Sequence, residues 1–477
     1  MAKAELEPVI GLEIHVQLRT ATKMFCGCAL GFGEPPNTRT CPVCLGLPGA
    51  LPVANAEAIH YGLLIGLALN STLAPVSTFH RKNYFYPDLP KGYQISQFDL
   101  PLCSGGKLGE VNIHRVHLEE DAAKLNHVGV GGRIDQANSS IVDFNRGGTP
   151  LAEIVTEPEL SSAEQAGQWL RLLRTTLRTL GVSDVNMEEG SLRCDANISL
   201  RPAGSDQLGV KTELKNMNSF RFIERGIRAE VERQRALIEA GEEVVQETLH
   251  FDPRSEAITS LRSKEEAHDY RYFPEPDLPP VVISESMLSR AAAELPELPA
   301  AREQRYIEQQ SLSAESARML AWRAELGDYF DAVCEADRSL DAQAAANWVA
   351  ELQGRLGDQE AEDSKVSASA LAQLAALVAS SKINQGGARQ VLDQLVNEGG
   401  EPAAIVADQG LEAVGGAEQL APIVAAALEA NPELTERLRS GEMKPIGVIV
   451  GEVMKQTRGR ADGEQVTALI REQLGLS

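Results

Sequence analysis

Apolar and polar positions alternate along four short stretches in the first half of the chain. In GLEIHVQL (11–18), Leu12, Ile14, Val16 and Leu18 share one face, while Glu13, His15 and Gln17 share the other. The same period recurs in VNIHRVHLEE (111–120), SLRCDANISL (191–200) and LGVKTELK (208–215), with Gly-, Pro- and Asn-containing turns between them. Two stretches switch to the helical period. One opens at SSAE, where Ser161 and Glu164 stand at capping-box spacing, and runs to Gly181; the other runs from about Ser219 to Gly241. Beyond the Pro-rich FPEPDLPPVVIS and ELPELPAARE, strand signals nearly vanish and segments of Ala, Leu and Glu repeat with helical spacing. The pattern predicts an α+β protein. An N-terminal sheet domain covers 1–293, an all-α helical domain 294–407 and a small helical tail domain 408–477. In the tail, Gly447 and Gly451 would allow close helix packing, and the acidic DQEAEDS (358–364) would be an exposed loop or helix edge.

Composition narrows the class. A chain of 477 residues is too long for one core, and 43% hydrophobic with 24% charged residues is ordinary for a globular protein. The N-terminus lacks the layout of an export signal, and the longest apolar run, IHYGLLIGLAL (59–69), is far short of a membrane span. A cytoplasmic protein with no membrane partner is expected. The net charge of −23 excludes coating of nucleic acid by bulk charge, but not binding through a local basic patch. Lys444, Lys455, Arg458 and Arg460 form such a patch near the C-terminus, which is either a nucleic-acid contact or a solvated helix face.

Seven cysteines in a reducing compartment are poor disulfide candidates, and four of them fall between positions 26 and 44. Cys26-x-Cys28, twelve residues, then Cys41-x-x-Cys44 is two thiolate pairs joined by a Gly/Pro-containing loop, a spacing that can close around structural zinc. Four buried thiols is the alternative. Four sulfur ligands would leave no open position, so such a zinc would hold a loop and do no chemistry.

The polar strand faces carry the candidate chemistry. Alternation puts His117 and Glu119 on one face and Glu120 on the other, sets Arg193, Asp195 and Asn197 against an apolar row, and turns Lys211, Glu213 and Lys215 the same way. If these strands share a sheet, Glu13, His15, Glu119 or Glu120, Asp195 and Glu213 converge on one floor. Carboxylates packed so closely need a positive partner, and Mg²⁺, which bridges carboxylates to phosphates, is the natural one. A set of exposed polar strand faces is the alternative. FHRKNYFYPDLPKGYQISQ (79–97) mixes basic and aromatic residues suited to a nucleotide base or a tRNA end, or to an aromatic core plug beside a basic turn. No Walker-type phosphate loop and no G-x-S-x-G elbow occurs.

Taken together, GLEIHVQL, KMFCGC, NTRTCPVCLGLPGALPV, FHRKNYFYPDLPKGYQISQ, VDFNRGGTPLAEIVTEPE, MEEGSLRCDANISLRP, KTELKNMNSFRF and the C-terminal KPIGVIVGEVMKQTRGRAD resemble the B subunits of the tRNA-dependent amidotransferases over nearly the whole chain. The resemblance implies a cradle domain built on an antiparallel sheet, then a helical domain and a tail that contact tRNA. It implies a heterotrimer with an amidase-type A subunit, which releases ammonia from glutamine, and a small C subunit. The cognate aminoacyl-tRNA synthetase is a further partner it allows. The B subunit would bind mischarged tRNA(Gln) or tRNA(Asn) and, with ATP and Mg²⁺, phosphorylate the side-chain carboxylate of the attached Glu or Asp, which ammonia then converts to the amide. On the matching motifs, Glu13, His15, Glu119, Glu120, Asp195 and Glu213 are carried over as catalytic residues. All of these but Glu119 are carried over as Mg²⁺ ligands as well. Lys82 and Arg146 become nucleotide contacts, and Lys444, Lys455, Arg458 and Arg460 tRNA contacts. A non-catalytic zinc-stabilised tRNA-binding scaffold is the competing reading. The archaeal-type relative with an asparaginase-like partner carries an inserted domain for which this chain has no room.

Overall fold

The computed structural model describes residues 5–129, 137–253, 255–263, 270–357, 359, 361–413, 417–457 and 460–476. Asp358 and Glu360 of the acidic stretch, and Arg458 of the basic patch, lie outside the described residues. The chain divides at Pro299 into two compact units.

The first unit is built on β1 (Leu6–Gln17), α1 (Ala56–Ala68), β2 (Phe79–Asn83), β3 (Tyr93–Gln97), β4 (Val111–Glu120), β5 (Pro150–Thr156), α2 (Ala163–Thr179), β6 (Leu192–Pro202), β7 (Thr212–Met217), α3 (Phe220–Ala240), β8 (Glu247–Asp252) and β9 (Ala257–Ser263). Seven of these strands form the body of one sheet in the order β9-β8-β7-β6-β1-β5-β4, continued at its edge by the short pieces Cys103–Ser104 and Thr72–Leu73. The long β1 therefore lies in the middle, paired antiparallel with β5 on one side and β6 on the other. β2 and β3 form a separate antiparallel pair, and β3 packs against β4.

Among the described residues the sheet is antiparallel, as expected, except at one pair. β7 and β8 run parallel, because α3 carries the chain between them and the crossover returns it in the same direction. α3 begins at Ser219, whose hydroxyl accepts from the Phe222 N–H, and ends at Gly241 in the left-handed region (φ 80°). In α2 the cap is one residue later than the spacing at Ser161 suggested. Ser162 accepts from the Gln165 N–H, while the Gln165 side chain accepts from the Ser161 N–H. The apolar strand face, with Leu12, Ile14, Val16, Cys194, Ala196, Ile198 and Leu214 all buried, is covered by α1 and α3.

The second unit is helical from Pro299–Gln310 through Gly463–Leu474 and holds two apolar cores. The first gathers Tyr306, Phe330, Trp348, Leu371 and Leu392; the second gathers Leu420, Leu438, Ile449, Val453 and Ile470. Gly447 and Gly451 do not mediate close packing. Both are exposed, and a Cβ at either would meet nothing within 4 Å. Among the described residues no helix is long and apolar enough to cross a membrane.

Candidate active site and metal centre

Register places the polar face. His15 on β1 stands opposite Glu153 on β5 and Arg193 on β6, and Glu153 stands opposite His117 on β4. The row His117–Glu153–His15–Arg193 thus crosses four strands on the face away from α1 and α3. Two residues along β1, Glu13 pairs with Asp195, and Asn197 pairs with Glu213 on β7.

Side chains close the row into a cluster. His15 Nε2 lies 3.6 Å from Glu119 and 3.5 Å from Glu153, and His117 Nε2 lies 3.2 Å from Glu153. Burial by itself would lower the His15 pKa. The Glu153 carboxylate that accepts its proton, with Glu119 beyond, instead raises it to about 9. Burial works against the Glu153 charge too, but His117 and His15 together hold its carboxyl well below the usual range. The donor atoms of His15, Glu119 and Glu153 all lie within 4.8 Å of one another, so one imidazole and two carboxylates can meet a single divalent cation. Where no cation is present, the protonated His15 supplies the neutralising charge.

Beside it sits a second polar group. Lys215 reaches Asp195 at 2.7 Å and Glu213 at 2.8 Å, Asn197 donates to Glu13 at 2.9 Å, and Thr248 donates to Glu213 at 3.1 Å. Burial and then the Glu153 charge push the Glu13 carboxyl above its ordinary pKa, and Glu213 adds to the shift. The structure therefore brings Glu13, His15, Glu119, Asp195 and Glu213 onto one face, in two adjoining groups.

Glu120 does not join them. It has the opposite strand parity, pairs with Lys91, and accepts from the Ile95 N–H at 3.0 Å. It lines a separate cavity of about 160 Å³ with Cys26, Cys44 and Lys23. Arg146 is likewise committed elsewhere: its guanidinium donates to the carbonyls of Ala122 (3.0 Å) and Ala123 (2.7 Å) and stands 3.7 Å from Asp121. Lys82 lies over the Tyr270 ring at 4.8 Å and the Tyr84 ring at 5.8 Å. Burial would lower the Lys82 pKa, but the charge of Glu119 raises it. His117 and Lys215 were placed on the polar strand faces from the sequence but not carried over as site residues, and Glu153 was not singled out at all. Glu153 sits at a polar position within the apolar run PLAEIV, and only its pairing with β1 reveals it.

The four cysteines come together as well. The Sγ atoms of Cys26, Cys28, Cys41 and Cys44 lie within 4.8 Å of one another, with Cys41 and Cys44 3.9 Å apart. A zinc tetrahedron with Zn–S bonds of ~2.3 Å has edges of about 3.8 Å, so the thiols fit the ion. Cys44 also accepts from the Cys41 N–H at 3.2 Å, and the Lys23 ammonium lies 3.7 Å away. The Cys26 thiol that donates to it, then the Cys41 N–H and Lys23, push the Cys44 pKa down to about 4, and burial only partly opposes them. In the tail, Lys444 and Lys455 are exposed, whereas Arg460 donates to the carbonyls of Thr457 (3.1 Å) and Gly410 (3.4 Å).

An α+β chain with carboxylates and imidazoles gathered on a sheet face, and a cysteine cluster holding a neighbouring loop, has the makings of an enzyme component for phosphate or acyl chemistry. The family described as the GatB/GatE catalytic domain matches residues 8–289, and the GatB domain matches 328–474. Proteins named as the B subunit of aspartyl/glutamyl-tRNA(Asn/Gln) amidotransferase are similar along their full length. The one from Anaeromyxobacter sp. (strain K) is 47% identical over 488 aligned positions, covering all of both chains. The one from Thermodesulfovibrio yellowstonii is 45% identical over 98% of each, and that from Frankia casuarinae 48% identical over 99% of this chain and 97% of its own. The chain belongs to the family of aminoacyl-tRNA amidotransferase B subunits, ligase components that carry the catalytic domain.

Proposed function

We propose that this chain activates the side-chain carboxylate of Glu-tRNA(Gln), Asp-tRNA(Asn) or both in the cytoplasm, within a heterotrimer that also holds an amidase subunit and a small third subunit. An oxygen of the tRNA-borne carboxylate attacks the γ-phosphorus of ATP and ADP leaves, giving an acyl phosphate. Ammonia from the amidase then attacks the carbonyl carbon, phosphate leaves, and the amide remains.

The observation that supports this reading is the convergence of His15, Glu119 and Glu153 within reach of one cation, with Glu13, Asp195, Glu213 and Lys215 beside them. Two anions must approach each other for the first step, and fixed positive charge is what lowers that barrier. Mg²⁺ held by His15, Glu119 and Glu153 would screen the phosphate oxygens when bound. The chain's own residues orient and neutralise: Lys215 holds Asp195 and Glu213 in place, and Lys82 brings a cation to the Glu119 side. Structural Zn²⁺ in the four-cysteine site keeps the loop next to β3 and β4 in shape. Lys444 and Lys455 meet the tRNA backbone.

Transfer of labelled γ-phosphate in the reconstituted complex, with each mischarged tRNA offered in turn, tests the reading. ATP turnover that depends on Glu-tRNA(Gln) or Asp-tRNA(Asn) is expected. A complex that amidates neither, or consumes ATP equally without them, would overturn it and leave a tRNA-binding scaffold.

A further inference from the structure

Lys23 stands just before the cysteine loop and is 1% exposed. A lysine is among the residues least often buried, because its ammonium leaves water at a cost that only an accompanying anion offsets. Among the described residues no carboxylate lies within ion-pairing distance of Lys23. Glu120 lines the same cavity but is paired with Lys91. What the ammonium does meet is the carbonyl oxygen of Phe144, at 3.0 Å, and the Cys44 sulfur, at 3.7 Å. The carbonyl is neutral, so the countercharge has to come from the sulfurs.

Four neutral thiols do not supply it. A divalent zinc held by four thiolates does, since such a centre carries two excess negative charges, here in a partly buried loop. The Cys41 N–H that donates to Cys44 at 3.2 Å brings only a dipole, whereas Lys23 brings a full charge. The burial of the lysine and the excess charge of the metal centre answer each other.

The backbone fixes Lys23 in that place. Its N–H donates to the Cys28 carbonyl at 3.0 Å, and the Met24 N–H donates to the Gly148 carbonyl at 2.7 Å. Gly148 has φ +87°, and a Cβ there would stand 3.3 Å from the Lys23 stem. The same turn is tied to the end of β4: the Gly148 N–H donates to the Asp121 carbonyl and the Asp121 N–H to that of Thr149, both at 2.8 Å. The Asp121 carboxylate in turn accepts from Gln17 on β1 and Arg193 on β6, both at 2.9 Å. Lys23 therefore stands where the cysteine loop, the turn before β5 and the strand that carries Glu119 meet.

We propose that Lys23 is a positioning residue of the metal centre: its buried ammonium neutralises a zinc tetrathiolate through Cys44 and ties the cysteine loop to the turn at Phe144. The inference rests on the zinc reading above and deepens it, by naming the group outside the four ligands that balances the charge of the site.

The test is the zinc affinity of the assembled complex, measured by competition with a chelator of known affinity. It compares the parent, Lys23→Met, Lys23→Gln and, as a matched loss of an exposed cation, Lys107→Met. Lys23→Met keeps an unbranched stem and removes the charge; Lys23→Gln keeps an N–H donor as well. Both are expected to weaken zinc binding about 10- to 100-fold, the scale on which metal affinity falls when a group supporting the ligands is lost, with Lys107→Met unchanged. Cobalt in place of zinc gives a readout that packing alone does not move. Without the cation beside Cys44 the sulfur holds its electrons less tightly, so the thiolate-to-cobalt charge-transfer band shifts to longer wavelength. Parent-like zinc affinity or an unshifted band in either folded variant would overturn the proposal. So would failure of both variants to assemble while the zinc-stripped parent still assembles, because Lys23 would then be a packing residue. If the stripped parent also fails to assemble, recovery of the variants in excess zinc is the expected result, and no recovery overturns the proposal. A parent that binds no zinc would instead overturn the zinc reading itself.

Discussion

Glu153 holds two imidazoles. It lies 3.5 Å from His15 and 3.2 Å from His117, and its charge keeps the former protonated to about pH 9. Glu153→Gln preserves the shape of the side chain but removes the charge that both rings face and one of the two carboxylates able to meet a cation beside His15. We expect phosphoryl transfer to mischarged tRNA to fall by about 10²-fold or more per folded complex, in line with the loss of one electrostatic element from a preorganised site. Glutamine hydrolysis by the amidase partner, measured without tRNA, should be unaffected. If transfer fell less than about threefold, Glu153 would be only a strand residue. Glu13 and His15 stood out in the sequence because a carboxylate and an imidazole are unusual on alternate positions of a strand. Glu153 did not, because PLAEIV reads as a nearly continuous apolar run and one polar residue in it carries no pattern.

At the scale of the element, the cysteine loop and α3 show how far local chemistry reaches. The spacing of Cys26, Cys28, Cys41 and Cys44 is a property of the chain, and the loop brings the four sulfurs within 4.8 Å. Cys41→Ser is therefore expected to abolish stoichiometric zinc, measured by metal analysis of the purified protein. It should also lower stability by roughly 4 kcal/mol or more, among the large losses that follow removal of a structural metal. Full zinc content in the variant would refute four-sulfur ligation. α3 was legible from about Ser219 to its stop at Gly241, because capping is satisfied within a few positions of the chain. The parallel pairing of β7 with β8 was not. An alternating segment does not encode the direction of its neighbour, which is set by what connects the two strands.

Across the whole molecule the charge is −23, so exposed lysines that meet a polyanion must act locally. Lys444 and Lys455 are exposed near the N-terminal end and in the last turn of the helix Ile446–Gln456. Arg460 gives two of its N–H groups to carbonyls of its own unit. Lys444→Glu with Lys455→Glu should weaken tRNA binding by roughly tenfold and flatten its salt dependence, since each lost phosphate contact removes about one unit from the salt slope. Unchanged affinity in a filter-binding or anisotropy titration would show these lysines to be solvated surface.

The class of fold, the helix caps and the metal-binding spacing of the cysteines were determined by the sequence itself, because period, capping and ligand spacing are interactions between residues close along the chain. Which carboxylates share a floor was decided only by tertiary structure. Glu13, Glu119, Glu153, Asp195 and Glu213 come from five strands, and their approach depends on strand order and register. Glu119 and Glu120 make the point most sharply. They are adjacent in sequence and equally acidic, yet the pleat sends one to the imidazoles and the other to Lys91 beneath.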